Sequence, residues 1–112
     1  MSRAMPSDDS DSFKEFVIDQ LCGVAELRCQ RMFGGFGLYA GGRFFGIIAK
    51  GRLYFKTDAA SRADFEKFGM EAFQASKEQT LKNYFEVPPH VLENSDALGS
   101  WATRAVQVAR GG

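Results

Sequence analysis

Two short links, Gly41-Gly42 and Lys50-Gly51, limit what this chain can fold into more than any other feature. Each joins two apolar runs. Two-residue loops containing Gly are the signature of type I′ hairpins, because both central residues need positive φ. The stretch Arg31–Lys56, RMFGGFGLYAGGRFFGIIAKGRLYFK, therefore reads as strand, turn, strand, turn, strand. Strands are expected over Phe36–Ala40, Arg43–Ala49 and Arg52–Lys56.

Loops this tight fix register, and register fixes the faces. Ala40 is expected opposite Arg43, Tyr39 opposite Phe44 and Gly37 opposite Gly46. Across the second turn, Ala49 pairs with Arg52, Ile48 with Leu53 and Gly46 with Phe55. One face then carries Tyr39, Phe44, Ile48, Leu53 and Phe55, with Gly37 and Gly46 leaving room beside Phe55. With no charge in its middle, this face is expected to be the helix-covered core. The other carries Phe36, Leu38, Phe45, Ile47 and Tyr54, edged by Arg43, Arg52 and Lys56. It is too apolar for bare solvent, which marks it as an interaction face.

The remaining elements follow in order. Residues 1–11 are polar and acidic and are expected to fray, leaving 12–110 as one domain. Ser12-Phe-Lys-Glu15 matches a capping box, followed by Phe13, Phe16, Val17 and Leu21 at helical spacing. Leu27, Cys29, Arg31 and Phe33 alternate as a first strand that Gly34-Gly35 breaks. Asp58 suits the N-cap of a second helix through Ala63, Phe65 and Phe68, stopped by Gly69. Met70–Ser76 and Leu81–Val87 read as two more strands, and Pro88-Pro89 ends the second. His90–Glu93 suggests one helical turn. Leu98, Trp101, Ala102, Ala105 and Val106 mark a last helix. The fold class is α+β in two layers: an antiparallel sheet of five to six strands with helices on one face, in the order α-β(3-4)-α-β(2)-α.

The totals exclude several functions. For a chain of 112 residues, a formal net charge of zero argues against a general polyanion binder and says nothing about local patches. The start of the sequence has no apolar core of signal-peptide length, and the longest apolar run, Phe44–Ala49, is far too short to span a bilayer, so a cytoplasmic protein is expected. Cys22 and Cys29 are too few for a zinc site or a disulfide framework. They read as small packed thiols, Cys22 at the helix end that disfavours a thiolate. His90 reads as a loop residue. Gly35-Phe-Gly37-Leu-Tyr-Ala40 fits the loose dinucleotide pattern, but no helix follows to receive a pyrophosphate. The acids form no acid/base couple and no metal-binding spacing. No cofactor, metal or catalytic residue is expected.

The basic residues are less evenly spread. Between Leu27 and Lys56 stand Arg28, Arg31, Arg43, Lys50, Arg52 and Lys56, with no acid among them. Beside Phe36, Phe45 and Tyr54 this pattern supports two readings. An aromatic centre ringed by arginine suits a protein contact, with a second copy or another partner. The same surface could stack single-stranded bases and meet phosphates. A small-molecule site in the room beside Gly37 and Gly46 is a third.

One stretch carries a resemblance. Gln30-Arg31-Met32-Phe33-Gly34-Gly35-Phe36-Gly37-Leu38-Tyr39, extended through Asp58, resembles the N-terminal domain of the TfoX/Sxy family of competence regulators. FEKFGMEAF at Phe65–Phe73, YFEVP at Tyr84–Pro88 and a last helix bearing Trp101 are similar as well. The resemblance implies a single α+β domain, similar to the type-III secretion chaperone architecture, with a regulatory and non-enzymatic role. In that family the full-length proteins carry a second domain and work with the cyclic-AMP receptor protein at competence promoters. This sequence ends after its last helix and shows no helix-turn-helix pattern. A stand-alone version of the domain is therefore expected, acting through a transcription-related partner or a second copy.

Overall fold

Both glycine links form left-handed turns: φ is 57° and 81° at Gly41 and Gly42, and 54° and 72° at Lys50 and Gly51. They join β2 (Gly35–Ala40), β3 (Arg43–Ala49) and β4 (Arg52–Lys56) into an antiparallel meander. A computed structural model of the chain describes residues 9–32 and 34–111. Around the meander it arranges α1 (Asp9–Gln20), β1 (Leu27–Met32), α2 (Ala59–Lys67), β5 (Ala72–Ser76), β6 (Gln79–Glu86), α3 (Pro89–Leu92) and α4 (Ser95–Ala109). The six strands form one sheet in the order β1-β2-β3-β4-β6-β5. The expected two-layer α+β architecture is what the chain adopts.

The helices all pack on one face. Val17 of α1 and Leu21 just past its end, Phe65 of α2, Val91 of α3, and Leu98, Ala102 and Ala105 of α4 share one buried cluster with the sheet. Asp58 caps α2 reciprocally: the Ser61 N–H donates to Asp58 Oδ1 at 2.8 Å, and the Asp58 N–H donates to Ser61 Oγ at 3.0 Å. Gly69, at φ 76°, turns the chain out of the helix. No such box forms at Ser12. The first helix already begins at Asp9, so Ser12 lies inside it, and aspartate is a favoured residue type in a first turn. Its inward stripe runs from half-buried Phe13 through Val17 and on to Leu21 just past the helix, at a spacing of four, which turns Phe16 outward to 40% exposure. Most of the N-terminal stretch, and Phe33, lie outside the described residues.

One irregularity changes the face assignment. The pairing Tyr39↔Phe44 holds, but Leu38 pairs with Gly46 and Gly37 with Ile47. Phe45 is the extra residue of a β-bulge. A bulge sends two successive residues to the same side and reverses the alternation beyond it. Phe45 and Gly46 both point to the helices, while Phe44 and Ile47 point away. The expected faces are thus a mixture. Ile48, Leu53 and Phe55 do sit in the helix-covered core, but Phe36, Leu38 and Phe45 join them there, and Tyr39 and Phe44 lie on the opposite side.

Candidate functional site

The helix-free face of the sheet is built from strands alone. Ile47 and Ala49 of β3, Phe73 of β5 and Tyr84 of β6 are its buried centre, with Phe44, Tyr54 and Leu81 packed around them. No helix contributes to this cluster. The rings cover one another: Phe44 and Tyr84 have centroids 5.5 Å apart across the intervening β4, Tyr39 and Phe44 5.1 Å, and Tyr54 and Phe73 4.7 Å. In a flat sheet, strands separated by one other lie about 9.6 Å apart, so the Phe44 and Tyr84 rings lean toward each other over β4. The chain itself covers much of its surplus apolar face, leaving Tyr39, Phe44 and Tyr54 half-buried at the surface.

Of the residues expected on this face, Ile47, Arg52, Tyr54 and Lys56 are there. Phe36, Leu38 and Phe45 are not; they are 5%, 0% and 0% exposed in the helix-side core. Phe36 is further covered by Lys14 of α1 and Arg31 of β1, whose cations stand 5.4 and 5.0 Å from its ring centre. Arg43 leaves the face too, lining a groove beside α4. In their place the fold supplies Tyr39, Phe44, Phe73 and Tyr84, which register reasoning missed. The bulge hid the first two. For the other two, the period-2 pattern of β5 and β6 was visible, but nothing in the sequence tied their register to β4. Arg28 and Gln30 also reach this side, as partners of Tyr39 and Gly37 in the β1–β2 ladder.

Among the motif residues, Gly35 and Gly37 have steric reasons to be glycine. A Cβ at Gly35 would run into the Ile48 carbonyl, and one at Gly37 into the Met32 sulfur and the Phe44 ring. Gly46 is less tightly enclosed, but Leu38, Phe55 and the Tyr54 carbonyl still occupy the space beside it, so the room expected beside Gly37 and Gly46 is filled by the chain's own atoms. Gly34 has φ 74° in the β1–β2 turn.

The charges on the face are partly neutralised. Arg52 donates from one guanidinium nitrogen to both oxygens of Glu86, at 3.0 and 2.9 Å. That hydrogen bond raises the Arg52 pKa, so the cation is permanent. Lys56 stands 5.2 Å from the centre of the Tyr84 ring. Burial pushes the Tyr54 phenol above its usual range, and Glu86 adds to the rise. Burial does the same for Tyr84, with a contribution from Tyr39. The Cys29 thiol is raised mainly by burial, the opposite of what a nucleophile requires. The Cys22 thiol is exposed. His90 is exposed, its ring 4.6 Å from Phe68. Among the described residues no group of three or more His, Cys, Asp or Glu side chains converges on a metal site. No described helix is long and apolar enough to cross a membrane.

A six-stranded antiparallel sheet, helices on one side and an aromatic, basic-rimmed surface on the other define a small two-layer α+β domain. The family model for the TfoX N-terminal domain matches residues 19–109, and the chain belongs to that family. It is 40% identical over 81 residues to the DNA transformation protein TfoX1 of Aliivibrio fischeri (strain ATCC 700601 / ES114). That match covers 70% of this chain and 39% of the relative's length.

Proposed function

We propose that this domain is a non-enzymatic regulatory module that acts by protein–protein contact in transcriptional regulation, through its helix-free sheet face. The observation that carries the reading is the trio Tyr39, Phe44 and Tyr54. These large rings stay half-buried where no helix lies over them, with Arg28 and Lys56 at the rim. Half-buried, rigid aromatic side chains cost little entropy to bury further and are favoured at the centre of protein interfaces. The matched relative is named a DNA transformation protein. We extend to this chain a regulatory part in such a process, with a transcription-related protein or a second copy as the partner.

Charge favours a protein over a nucleic acid on this surface. Phosphate binding draws its affinity from free cations. Arg52, one of the cations on this face, is instead held by Glu86.

The test is an amide NMR titration of the isotope-labelled protein with the cyclic-AMP receptor protein, the partner implied by the resemblance. A sedimentation series of the chain alone reports self-association. Shifts, or a dimer interface, centred on Tyr39, Phe44 and Tyr54 are expected. Binding centred on the helices would overturn the reading, as would a flat response in both experiments. So would salt-sensitive shifts at these residues with a single-stranded oligonucleotide and none with protein.

A further inference from the structure

A polar groove of about 490 Å³ lies at the other side of the molecule, where the α1–β1 connection, the β2–β3 turn and the last turns of α4 meet. Arg43 and Arg110 both line it, and neither has an ion-pair partner among the described residues. A second hollow adjoins it through Glu26 and Gly41 and adds Arg28. Two arginines and a single carboxylate, Glu26, line the groove itself. Elsewhere Arg52 holds Glu86, Arg104 holds Asp64, and Arg62 reaches Asn83. Unneutralised guanidinium groups at one groove repel each other unless an anion joins them.

The backbone here is also unusual. Glu26 has φ 56°, a left-handed conformation that a non-glycine residue rarely adopts. Its carbonyl accepts the Gly41 N–H at 3.2 Å, so strand pairing holds the residue there. Its carboxylate oxygen would lie 3.3 Å from a Cβ on Gly41, which places the acid over the turn at the groove's edge.

We propose that this groove binds a small, hydroxylated aliphatic anion carrying two acidic groups, held between Arg43 and Arg110. The volume lies within the range of small-molecule sites. Two planar guanidinium forks match two carboxylate or phosphate groups. Glu26 and Gln107 supply acceptors for hydroxyls, and Thr103, whose hydroxyl donates to the Gly99 carbonyl at 2.9 Å, keeps lone pairs to accept another. The apolar floor is Val24, Ala40 and Val106, and the lining contains no aromatic ring. A nucleobase would have nothing to stack on, so the class is a sugar bisphosphate or a hydroxy-polycarboxylate rather than a nucleotide.

The test is an amide NMR titration with fructose 1,6-bisphosphate, citrate, inorganic phosphate and AMP in separate arms. Shifts are expected at Gly41, Arg43, Gln107 and Arg110 with the bisphosphate or with citrate, and whichever is tighter identifies the acid group. Phosphate and AMP should bind more weakly. The Arg43→Gln, Arg110→Gln double variant should lose about tenfold or more in affinity. Both side chains are exposed, so its melting temperature should match the wild type. Glu26→Gln removes the opposing charge and should tighten binding. Silence in all four arms would overturn the proposal. So would equal affinity in the double variant, or AMP binding tighter than the other three. Shifts confined to the aromatic face would do the same, without bearing on that face's protein contact.

Discussion

Gly46 stands directly across from Phe55 in the β3–β4 ladder, with Leu38 opposite it on the β2 side. A Cβ on Gly46 would lie 3.3 Å from Phe55 Cδ1, 3.2 Å from Leu38 Cδ1 and 3.1 Å from the Tyr54 carbonyl oxygen. Both side chains are 0% exposed, so neither has free space to retreat into. Gly46→Val is expected to overpack this point and destabilise the fold by about 1–3 kcal/mol. Urea unfolding should show a lower midpoint at an unchanged slope. A neutral result would mean that Phe55 and Leu38 can yield.

The bulge at Phe45 gives a second test, because it decides which of two adjacent phenylalanines is core. Phe45 is 0% exposed, its ring 5.8 Å from that of Phe55, whereas Phe44 is half-buried on the helix-free side. Phe45→Ala is expected to cost about 3–5 kcal/mol, and Phe44→Ala clearly less. Strict alternation along β3 would put Phe44 in the core and reverse the order. Equilibrium unfolding of the two variants separates the cases.

That pair also shows where the sequence stops being informative. Both hairpin turns were legible from Gly41-Gly42 and Lys50-Gly51, because two-residue loops leave the backbone few choices. The β3–β4 register followed from the second turn without error, Gly46 against Phe55 included. The cap at Asp58 was legible because its chemistry is local. A bulge leaves no comparable local mark. Phe44, Phe45 and Gly46 read the same with or without one, and a one-residue shift is enough to exchange the faces assigned to Phe36, Leu38 and Phe45. The contribution of Phe73 and Tyr84 depends on β6 pairing with β4 across an intervening helix. Long-range pairing of that kind is set by the assembled core. The groove at Arg43 joins three segments distant in sequence and was invisible for the same reason.

Asp58 gives an acid-limb prediction. The Ser61 backbone N–H and hydroxyl hold its carboxyl below the usual Asp range. A carboxylate with a depressed folded-state pKa adds stability that is complete above its unfolded value, about pH 3.9, and is lost as pH falls through the lower folded value. Melting temperature should therefore drop on acidification below about pH 4. Asp58→Asn keeps an acceptor for the Ser61 N–H but cannot titrate, so it should flatten that part of the curve while leaving the neutral-pH cap in place. An unchanged acid limb would mean that Asp58 contributes nothing to it.

Glu86 offers the sharpest test of how the sheet face chooses its partner. Its two oxygens hold Arg52, so the face presents less free positive charge than its residue count suggests. Glu86→Gln removes the acid and raises the charge of the face by one. Every additional phosphate neutralised on a single strand steepens the dependence of log affinity on log salt by about 0.7. The variant is therefore expected to bind a mixed-sequence single-stranded oligonucleotide more tightly than the wild type, with a salt slope steeper by about that amount if Arg52 meets one phosphate. Fluorescence anisotropy at low and physiological salt measures both quantities. Identical curves for the two proteins would mean that Glu86 was not what kept Arg52 from phosphate, and the electrostatic argument for a protein partner on this face would fall with it.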